Sequence, residues 1–537
     1  MFCDKLNINQ LTSLMIVHEV TDVVVCPGSR NGALVHNFHA CPQIACYPVT
    51  DERSAAFFAL GLSLAKKRPV AVCVTSGTAL LNTLPAVAEA FYQHIPILIL
   101  SADRPPCWID QQDGQTLPQY GALARFTKKS LQLPEPKSKD EEWWCNRLIN
   151  EGLNTLTFGS SGPVHLNIPI SEPLFTFHTE CLPDERAIRY HQLQQHVPNE
   201  ILEKISRAKM PVLVIGQMPP FDLDALRRIE AQNRILILSE QISNTPYGYR
   251  AWVMEEKGDS IEFSPDLVIH IGGMLVGKNI KKQIRSNSHC QVIRITEDEQ
   301  FLTDTFCRLT DFVKACPLLF FRQLASYQSE KSGNAAVVKI KEQMDNVYRE
   351  LRKPTEPEIF NSRNVVFRLT SLLNENISLH FANSSAVRYA NVLPLQNCRC
   401  KVYCNRGTNG IEGSLSTAAG YAAGNPKNLS VCIIGDLSFF YDINGLWHNN
   451  LGNNLRILLL NNGGGKIFDN IAGLNQSPAK KELIAASHLT NAENVAKTYG
   501  LDYYHANNFK DLSIVIPQWI AKEHARPALL EIDVLEE

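Results

Sequence analysis

The sequence predicts an α/β protein of three doubly wound parallel-sheet domains, and three observations carry that reading. Short apolar runs ending at glycine, asparagine or an acid alternate with longer segments of helical periodicity along the chain. The runs are nearly continuous in Val, Ile and Leu, as expected of parallel strands covered by helices on both faces. At 537 residues the chain is too long for one core and corresponds to about three domains of usual size.

Taken in order, residues 1–180 form the first expected domain. Asp22-Val23-Val24-Val25-Cys26 is a buried strand ending at Pro27-Gly28, and residues 44–49 are another, followed by Asp51-Glu52-Arg53 and a small-residue helix through Ala65. Residues 70–74 are a third strand, broken at Thr75-Ser76-Gly77-Thr78, and residues 95–100 a fourth, ending at Ser101-Ala102-Asp103-Arg104. Residues 162–169 supply a late strand, and the proline-containing stretch after it reads as a linker. A central domain at 186–345 repeats the grammar with strands at 211–215, 235–238, 267–271 and 292–295; it has no G-x-G-x-x-G, so a dinucleotide site is not supported. The charged stretch 328–357 reads as an amphipathic helix plus linker, and a final domain spans 358–537, ending with a strand at 528–534.

Composition narrows the function classes. An apolar fraction of 45% with 20% charged residues is ordinary for a globular protein, and a formal net charge of −2 gives no basic field for nucleic acid. No apolar run approaches a membrane span and the N-terminus lacks a signal-peptide core, so the expected location is cytoplasmic. The 15 cysteines are dispersed, with Cys26, Cys73 and Cys432 in apolar strands, as for reduced buried thiols. Cys398, Cys400 and Cys404 cluster, but the alternating run CRCKVYC lacks a second ligand pair at zinc spacing and reads as a strand.

The chemistry concentrates between Val431 and Asn470. A buried strand, Val431-Cys432-Ile433-Ile434, turns at Gly435-Asp436 into a helix with apolar Phe440, Ile443, Leu446 and Trp447; a second strand, residues 457–460, stops at Asn461-Asn462-Gly463-Gly464-Gly465. In an open parallel sheet the ligand crevice lies beyond the carboxyl ends of the strands, so the acid and the amide can share it. A hard divalent cation holding a diphosphate fits such a pair, because magnesium takes one or two protein oxygens and leaves the rest to phosphate and water. Alone, either half reads as a cap or a loop; together, with one strand-helix-strand between them, they point to a metal site.

GDLS followed by NNGGG resembles the metal-diphosphate motif of thiamine-diphosphate-dependent enzymes, usually GDG followed after a gap of this size by NN. Leu437 replaces the second glycine of GDG, a variant seen in the 2-succinyl-5-enolpyruvyl-6-hydroxy-3-cyclohexene-1-carboxylate synthases of menaquinone biosynthesis. The resemblance implies a pyrimidine-binding first domain, a diphosphate-binding last domain, and a homodimer or a tetramer in which two subunits share each cofactor. It implies Mg2+ or Mn2+ held by Asp436, Asn462 and Gly464, and thiamine diphosphate contacted by these three and by Pro27, Thr75, Ser76, Gly77, Asn82, Gly410, Ile411, Gly435, Leu437, Ser438, Gly463 and Ile467. Glu52 matches the glutamate that activates the aminopyrimidine; without the resemblance it reads as a helix-terminal acid.

Arginines at strand ends suit substrates with several carboxylates, which a guanidinium fork grips bidentately, although one such arginine alone reads as a surface ion pair. The resemblance assigns Ser29, Arg30, Arg104, Gln115, Lys278, Ser384, Arg388, Arg406 and Phe468 to the substrates, with Asn279 standing where some members have a second base. The implied reaction is decarboxylation of 2-oxoglutarate and 1,4-addition of the succinyl carbanion to isochorismate. Two alternatives stand beside it: another thiamine-diphosphate 2-oxoacid decarboxylase or carboligase, of acetolactate-synthase type, and a non-catalytic α/β protein in which Asp436 and Asn462 are structural.

Overall fold

The computed structural model describes residues 1–191, 196–298, 300–327, 333–351, 359–373, 377–391, 400–521 and 524–534. Among these, eighteen strands form three six-stranded sheets. The first holds β1 (Asp22–Val25), β2 (Ala45–Pro48), β3 (Val70–Val74), β4 (Ile97–Asp103), β5 (Lys129–Gln132) and β6 (Val164–Pro169), in the order β2-β1-β3-β4-β6-β5. The second holds β7 (Pro211–Ile215), β8 (Leu236–Ser239), β9 (Tyr249–Arg250), β10 (Leu267–Ile271), β11 (Gln291–Thr296) and β12 (Leu309–Lys314), ordered β12-β11-β10-β7-β8-β9. The third holds β13 (Ser378–Phe381), β14 (Lys401–Cys404), β15 (Ser430–Gly435), β16 (Leu455–Asn461), β17 (Asp502–Ala506) and β18 (Ala528–Asp533), ordered β14-β13-β15-β16-β18-β17. Pairs such as β1–β3, β7–β10 and β15–β16 run parallel, bearing out the expected sheet type.

The chain packs as two compact units, one joining Met1–Gln192 to Asn405–Leu535, the other made mainly of Leu193–Cys404. In the first, alternate residues of the strands (Val23, Cys73, Leu98, Leu100, Leu166) bury against the helices Leu6–Val17 and Lys139–Thr155. The helix Glu52–Lys66 is capped by Asp51, whose side chain accepts from Ser54 N, and ends at Lys67 in the left-handed region. Its small residues, Ala55, Ala56, Ala59 and Gly61, meet an equally small helix, Ser414–Gly424. A Cβ on Gly61 would lie 1.9 Å from Thr417 O, and one on Gly420 would lie 2.0 Å from Phe58 O. Backbone therefore rests on backbone, a separation that only glycine permits.

In the second unit, Val214 and Val268 belong to one apolar layer and Leu213 and Ile269 to the other, so the sheet is covered on both faces. Between the ends of β7 and β10, where the strand order reverses, the loops pair with each other: Gly216 N donates to Ile271 O and Gly273 N to Gln217 O, both at 2.8 Å. That pairing occupies the place where such a sheet would otherwise open a ligand crevice.

Several elements differ from the sequence reading. Of the strand expected at 44–49, β2 takes Ala45–Pro48, a sheet edge with half-exposed and exposed residues, while Ile44 and Val49 flanking it are buried. β4 runs on through Asp103, so Ser101, Ala102 and Asp103 are buried strand residues and only Arg104 lies past the end. The helix after Asp436 is short, Asp436–Tyr441, continuing as a 3-10 turn at Ile443–Leu446, and Trp447 is 55% exposed instead of joining an apolar stripe. The stretch after β6 is no slack linker: Asn154 Nδ2 holds Ile188 O at 2.7 Å, and Phe2 N donates to Thr179 O at 2.7 Å. The amphipathic helix within 328–357 is Ala335–Leu351, burying Val337, Ile340, Met344 and Val347; residues 328–332 and 352–358 lie outside the described residues. The CRCKVYC run yields β14 at Lys401–Cys404, while Cys398 lies outside the described residues.

Gly61→Val should destabilise the chain by about 3 kcal/mol or more, since the branched side chain cannot enter a backbone contact without separating the helices. Urea unfolding reads this directly, and an unchanged midpoint would contradict the packing.

Candidate active site

β15 and β16 run side by side with Gly435 opposite Leu460, so their carboxyl ends lie next to each other. Asp436 follows at once, 3% exposed, and one carboxylate oxygen accepts Gly464 N at 2.9 Å and Asn462 N at 3.2 Å. The other oxygen accepts Leu437 N at 2.6 Å. Burial pushes the Asp436 carboxyl upward, while the amide donors and His488, 3.4 Å away, pull it back toward ionisation. The acid and the asparagine turn are thus brought together.

The turn itself needs glycine. Gly463 and Gly464 have φ of 74° and 141°, and a Cβ on Gly464 would lie 2.8 Å from Ala485 O. The segment above is laced to it: Gly465 N donates to Ala485 O at 2.7 Å and His488 N to Gly463 O at 3.0 Å. Ile467 and Phe468 follow in a half-buried 3-10 turn, the Phe468 ring seated over Gly465. Leu437 is half-buried and Ser438 buried in the helix that Asp436 begins.

Glu52 occupies the first turn of its helix, half-buried, and accepts Asn82 Nδ2 at 3.3 Å. Its two neighbours tie that helix start to the end of the Asp436 helix in the same chain. Asp51 accepts Asn444 Nδ2 at 2.8 Å; Arg53 donates to Tyr441 O at 2.9 Å and stacks over its ring. Beyond Tyr441, Asp442 is fully buried and accepts the amide and hydroxyl of Ser416, both at 2.8 Å.

On the side of the first sheet, Pro27, Gly28 and Ser29 form an exposed strand-end turn pressed on Thr75, where a Cβ on Gly28 would lie 2.3 Å from Thr75 Cβ. Ser76 is buried beside it, and Gly77 has φ 90° and ψ −144°, open only to glycine. Gln115 lies over Gly77, 3.4 Å from where its Cβ would stand. Arg104 reaches the same loop, pairing with Asp113 at 3.1 Å and donating to Gly114 O at 3.1 Å. Arg30 is buried, donating to Ile170 O at 3.0 Å and pairing with Glu172 at 3.1 Å. Arg406 and Gly410 are half-buried and Ile411 is 39% exposed, so Ile411 is not ordinary core.

Lys278, Ser384 and Arg388 belong to the second unit. Lys278 is exposed at the start of the helix Asn279–Ser286, on a segment fixed by Glu240, which accepts Val276 N and Gly277 N at 2.7 Å. Asn279 is used locally, its side chain donating to Met254 O and Glu255 O. Ser384 has φ 71°, and its carbonyl accepts from Arg388 at 2.9 Å.

The sequence reading missed the supports beneath the loops. Gln119, 1% exposed, accepts Gly77 N at 2.7 Å and donates to Ala102 O and Asn167. Asn167 also donates to Asp103, whose carboxylate accepts Arg104 N. Glu531, fully buried, accepts from Asn461, Tyr503 and Ala492 N, fixing the base of the glycine turn. Asp442 and His488 complete the set. No local spacing marks these residues.

The donor set fits a hard cation with a diphosphate. Besides His488, 3.4 Å from the Asp436 carboxylate, the donors are oxygens: that carboxylate, the Asn462 side-chain carbonyl and the Gly464 carbonyl, which accepts Lys466 N at 3.0 Å; no cluster of three His, Cys, Asp or Glu suited to a softer metal occurs among the described residues. The glycine turn leaves no side chain between backbone and ligand, and the buried Thr75 hydroxyl finds no hydrogen-bond partner among the described residues.

The models of the thiamine pyrophosphate enzyme N-terminal and C-terminal TPP-binding domains match residues 9–121 and 385–532. The fold agrees: a Rhodococcus jostii RHA1 thiamine diphosphate-dependent 4-hydroxybenzoylformate decarboxylase superposes with a TM-score of 0.73 at 16% identity, over 99% of both chains. The 2-succinyl-5-enolpyruvyl-6-hydroxy-3-cyclohexene-1-carboxylate synthases of Bacteroides fragilis and Bacteroides thetaiotaomicron are 40% and 41% identical, over 99% of this chain and 96% of each relative. The chain belongs to that synthase family. Among the described residues no helix is long and apolar enough to cross a membrane.

Burial raises the Asp442 carboxyl to about 6 from an ordinary 3.8. Between those values the folded chain keeps a proton that the unfolded chain has released, so this group makes stability fall as pH rises through the window. Asp442→Asn should remove that slope, leaving wild type to lose on the order of 2 kcal/mol more than the variant between pH 4 and pH 7. Parallel stability profiles from urea unfolding would refute it.

Proposed function

We propose that the chain decarboxylates 2-oxoglutarate and adds the remaining succinyl unit to isochorismate, giving 2-succinyl-5-enolpyruvyl-6-hydroxy-3-cyclohexene-1-carboxylate for menaquinone biosynthesis. The observation that carries the reading is the meeting of the Asp436 carboxylate with the Asn462–Gly464 turn, in a chain nearly coextensive with synthases of that name. Bound with Mg2+ or Mn2+, thiamine diphosphate would supply the carbon nucleophile for decarboxylating a 2-oxoacid.

In this reading Asp436, Asn462 and the Gly464 carbonyl hold the cation. Gly435, Leu437, Ser438, Gly463 and Ile467 line the diphosphate side; Pro27, Thr75, Ser76, Gly77 and Asn82 line the pyrimidine side. Glu52 holds a proton at the far pyrimidine nitrogen, at a helix start kept in place by its neighbours' bonds to Tyr441 and Asn444. Ile411 stands against the cofactor as an apolar support. Arg30, Arg104, Lys278, Arg388 and Arg406 orient carboxylates, with Ser29, Gln115, Ser384 and Phe468 completing the substrate surface. Arg104 already grips Asp113, a carboxylate that a substrate would exchange for its own. Domain roles follow: pyrimidine binding in 1–180, a central α/β domain in 186–345 and diphosphate binding in 358–537. The enzyme works in the cytoplasm as a homodimer or larger assembly whose subunits share each cofactor.

Product analysis with 2-oxoglutarate plus isochorismate should give the adduct only with thiamine diphosphate and a divalent cation, and pyruvate should not replace 2-oxoglutarate. Preferential use of pyruvate would favour the acetolactate-type alternative. Glu52→Gln should lower kcat by about 10²-fold or more with the cofactor still bound; retained activity would refute its role. Mixing Glu52→Gln and Asp436→Asn chains should restore part of the activity if two subunits share each cofactor, whereas a site built from one chain would stay inactive.

A further inference from the structure

Glu89 is a buried carboxylate with no role in the reading above. It lies on the helix Leu84–Gln93, 1% exposed. Both its oxygens serve one distant dipeptide: one accepts Gly407 N at 2.7 Å, the other Thr408 N at 2.7 Å and the Thr408 hydroxyl at 2.6 Å. Gln93, one turn on, donates to the oxygen that Gly407 uses. The fit is tight, since a Cβ on Gly407 would lie 2.7 Å from Glu89 O and 3.1 Å from Tyr92 Cβ. The strand-end loop is therefore seated on the helix by backbone contact and by three bonds to a charged acceptor, the stronger kind of hydrogen bond.

What the dipeptide carries gives the contact its meaning. Arg406 immediately precedes it, and Gly410-Ile411 follow. The helix bearing Glu89 begins directly after the segment Thr78–Asn82 and its cap Thr83. One carboxylate thus couples the loop with a substrate arginine and an apolar cofactor support to the segment that carries Asn82, the partner of Glu52.

We propose that Glu89 is a positioning residue: it holds the 406–411 loop so that Arg406 meets a substrate carboxylate at a fixed distance, and touches neither substrate nor cofactor. The inference rests on the assignment of Arg406 to substrate binding. A glutamine in its place keeps shape and one acceptor oxygen but turns an NH2 group toward backbone donors.

The test compares wild type, Glu89→Gln, Arg406→Ala and the double variant as holoenzymes, with hydrogen exchange on residues 405–412 as a second readout. Glu89→Gln should speed exchange in that segment and raise KM for one dicarboxylate about tenfold, with kcat less affected. In the Arg406→Ala background the same change should move KM by less than about twofold, because the two residues act as one unit. Normal wild-type turnover with an unchanged KM in Glu89→Gln, or additive effects in the double variant, would overturn this inference alone. Wild type failing to use dicarboxylates would overturn the proposed function as well, and unchanged exchange at 405–412 would show that the carboxylate does not hold the loop.

Discussion

The site depends on one steric constraint, the contact of the helix Glu52–Lys66 with the helix Ser414–Gly424. Both helices are rich in alanine, serine and glycine, Phe57 lies over Gly413 and Leu62 over Gly424, and at Gly61 and Gly420 the backbones touch. This brings elements of the first and third sheets into one compact unit. It also puts the helix start carrying Glu52 against the residues that follow Asp436, where Asp51 and Arg53 complete the attachment. A larger residue at either crossing would part the two helices and displace the helix start carrying Glu52 from the residues after Asp436 in the same chain.

Around that contact, buried carboxylates hold the loops. Asp436 gathers amides of the glycine turn, Glu531 fixes the asparagine at its base, Asp442 caps the Ser414 helix and Glu89 seats the Arg406 loop. Burying an acid is costly unless its oxygens are met by donors, and each of these is met by backbone amides. An acid saturated with main-chain donors fixes a loop more firmly than an apolar contact, because its directional bonds would be left unmade after a small shift. Asp436 differs from the other three in facing a turn that could also open toward a cation.

Much of the fold was legible because buried parallel strands write themselves as apolar runs. β3, β7, β10 and β16 are such runs, and their ends locate Thr75, Gly272 and Asn462. Some strands that escaped notice are partly exposed, such as β5 (Lys129–Gln132) and β17 with its half-exposed tyrosines, whereas buried β13 is short and carries the polar Ser378 and His380 among its four residues. Asp436 and Asn462 could be read because one strand-helix-strand unit separates them. Glu89 could not, since Gly407 lies 318 positions away and nothing near either residue marks the pairing. Gln119 was hidden likewise, its partner being a backbone amide that any residue but proline could offer. The arginines were visible as a set, yet their present partners, Glu172 for Arg30 and Asp113 for Arg104, come from loops whose return to the strand ends only the fold reveals.

The central claim is geometric: the residues at the tips of β15 and β16 are the ones that would hold a divalent cation with a diphosphate. Anomalous diffraction from crystals grown with thiamine diphosphate and Mn2+ tests it most directly. The account predicts a manganese peak in direct contact with oxygens of Asp436 and Asn462, with diphosphate oxygens completing its coordination. A peak held by other side chains, or a diphosphate bound away from the Asn462–Gly464 turn, would contradict it.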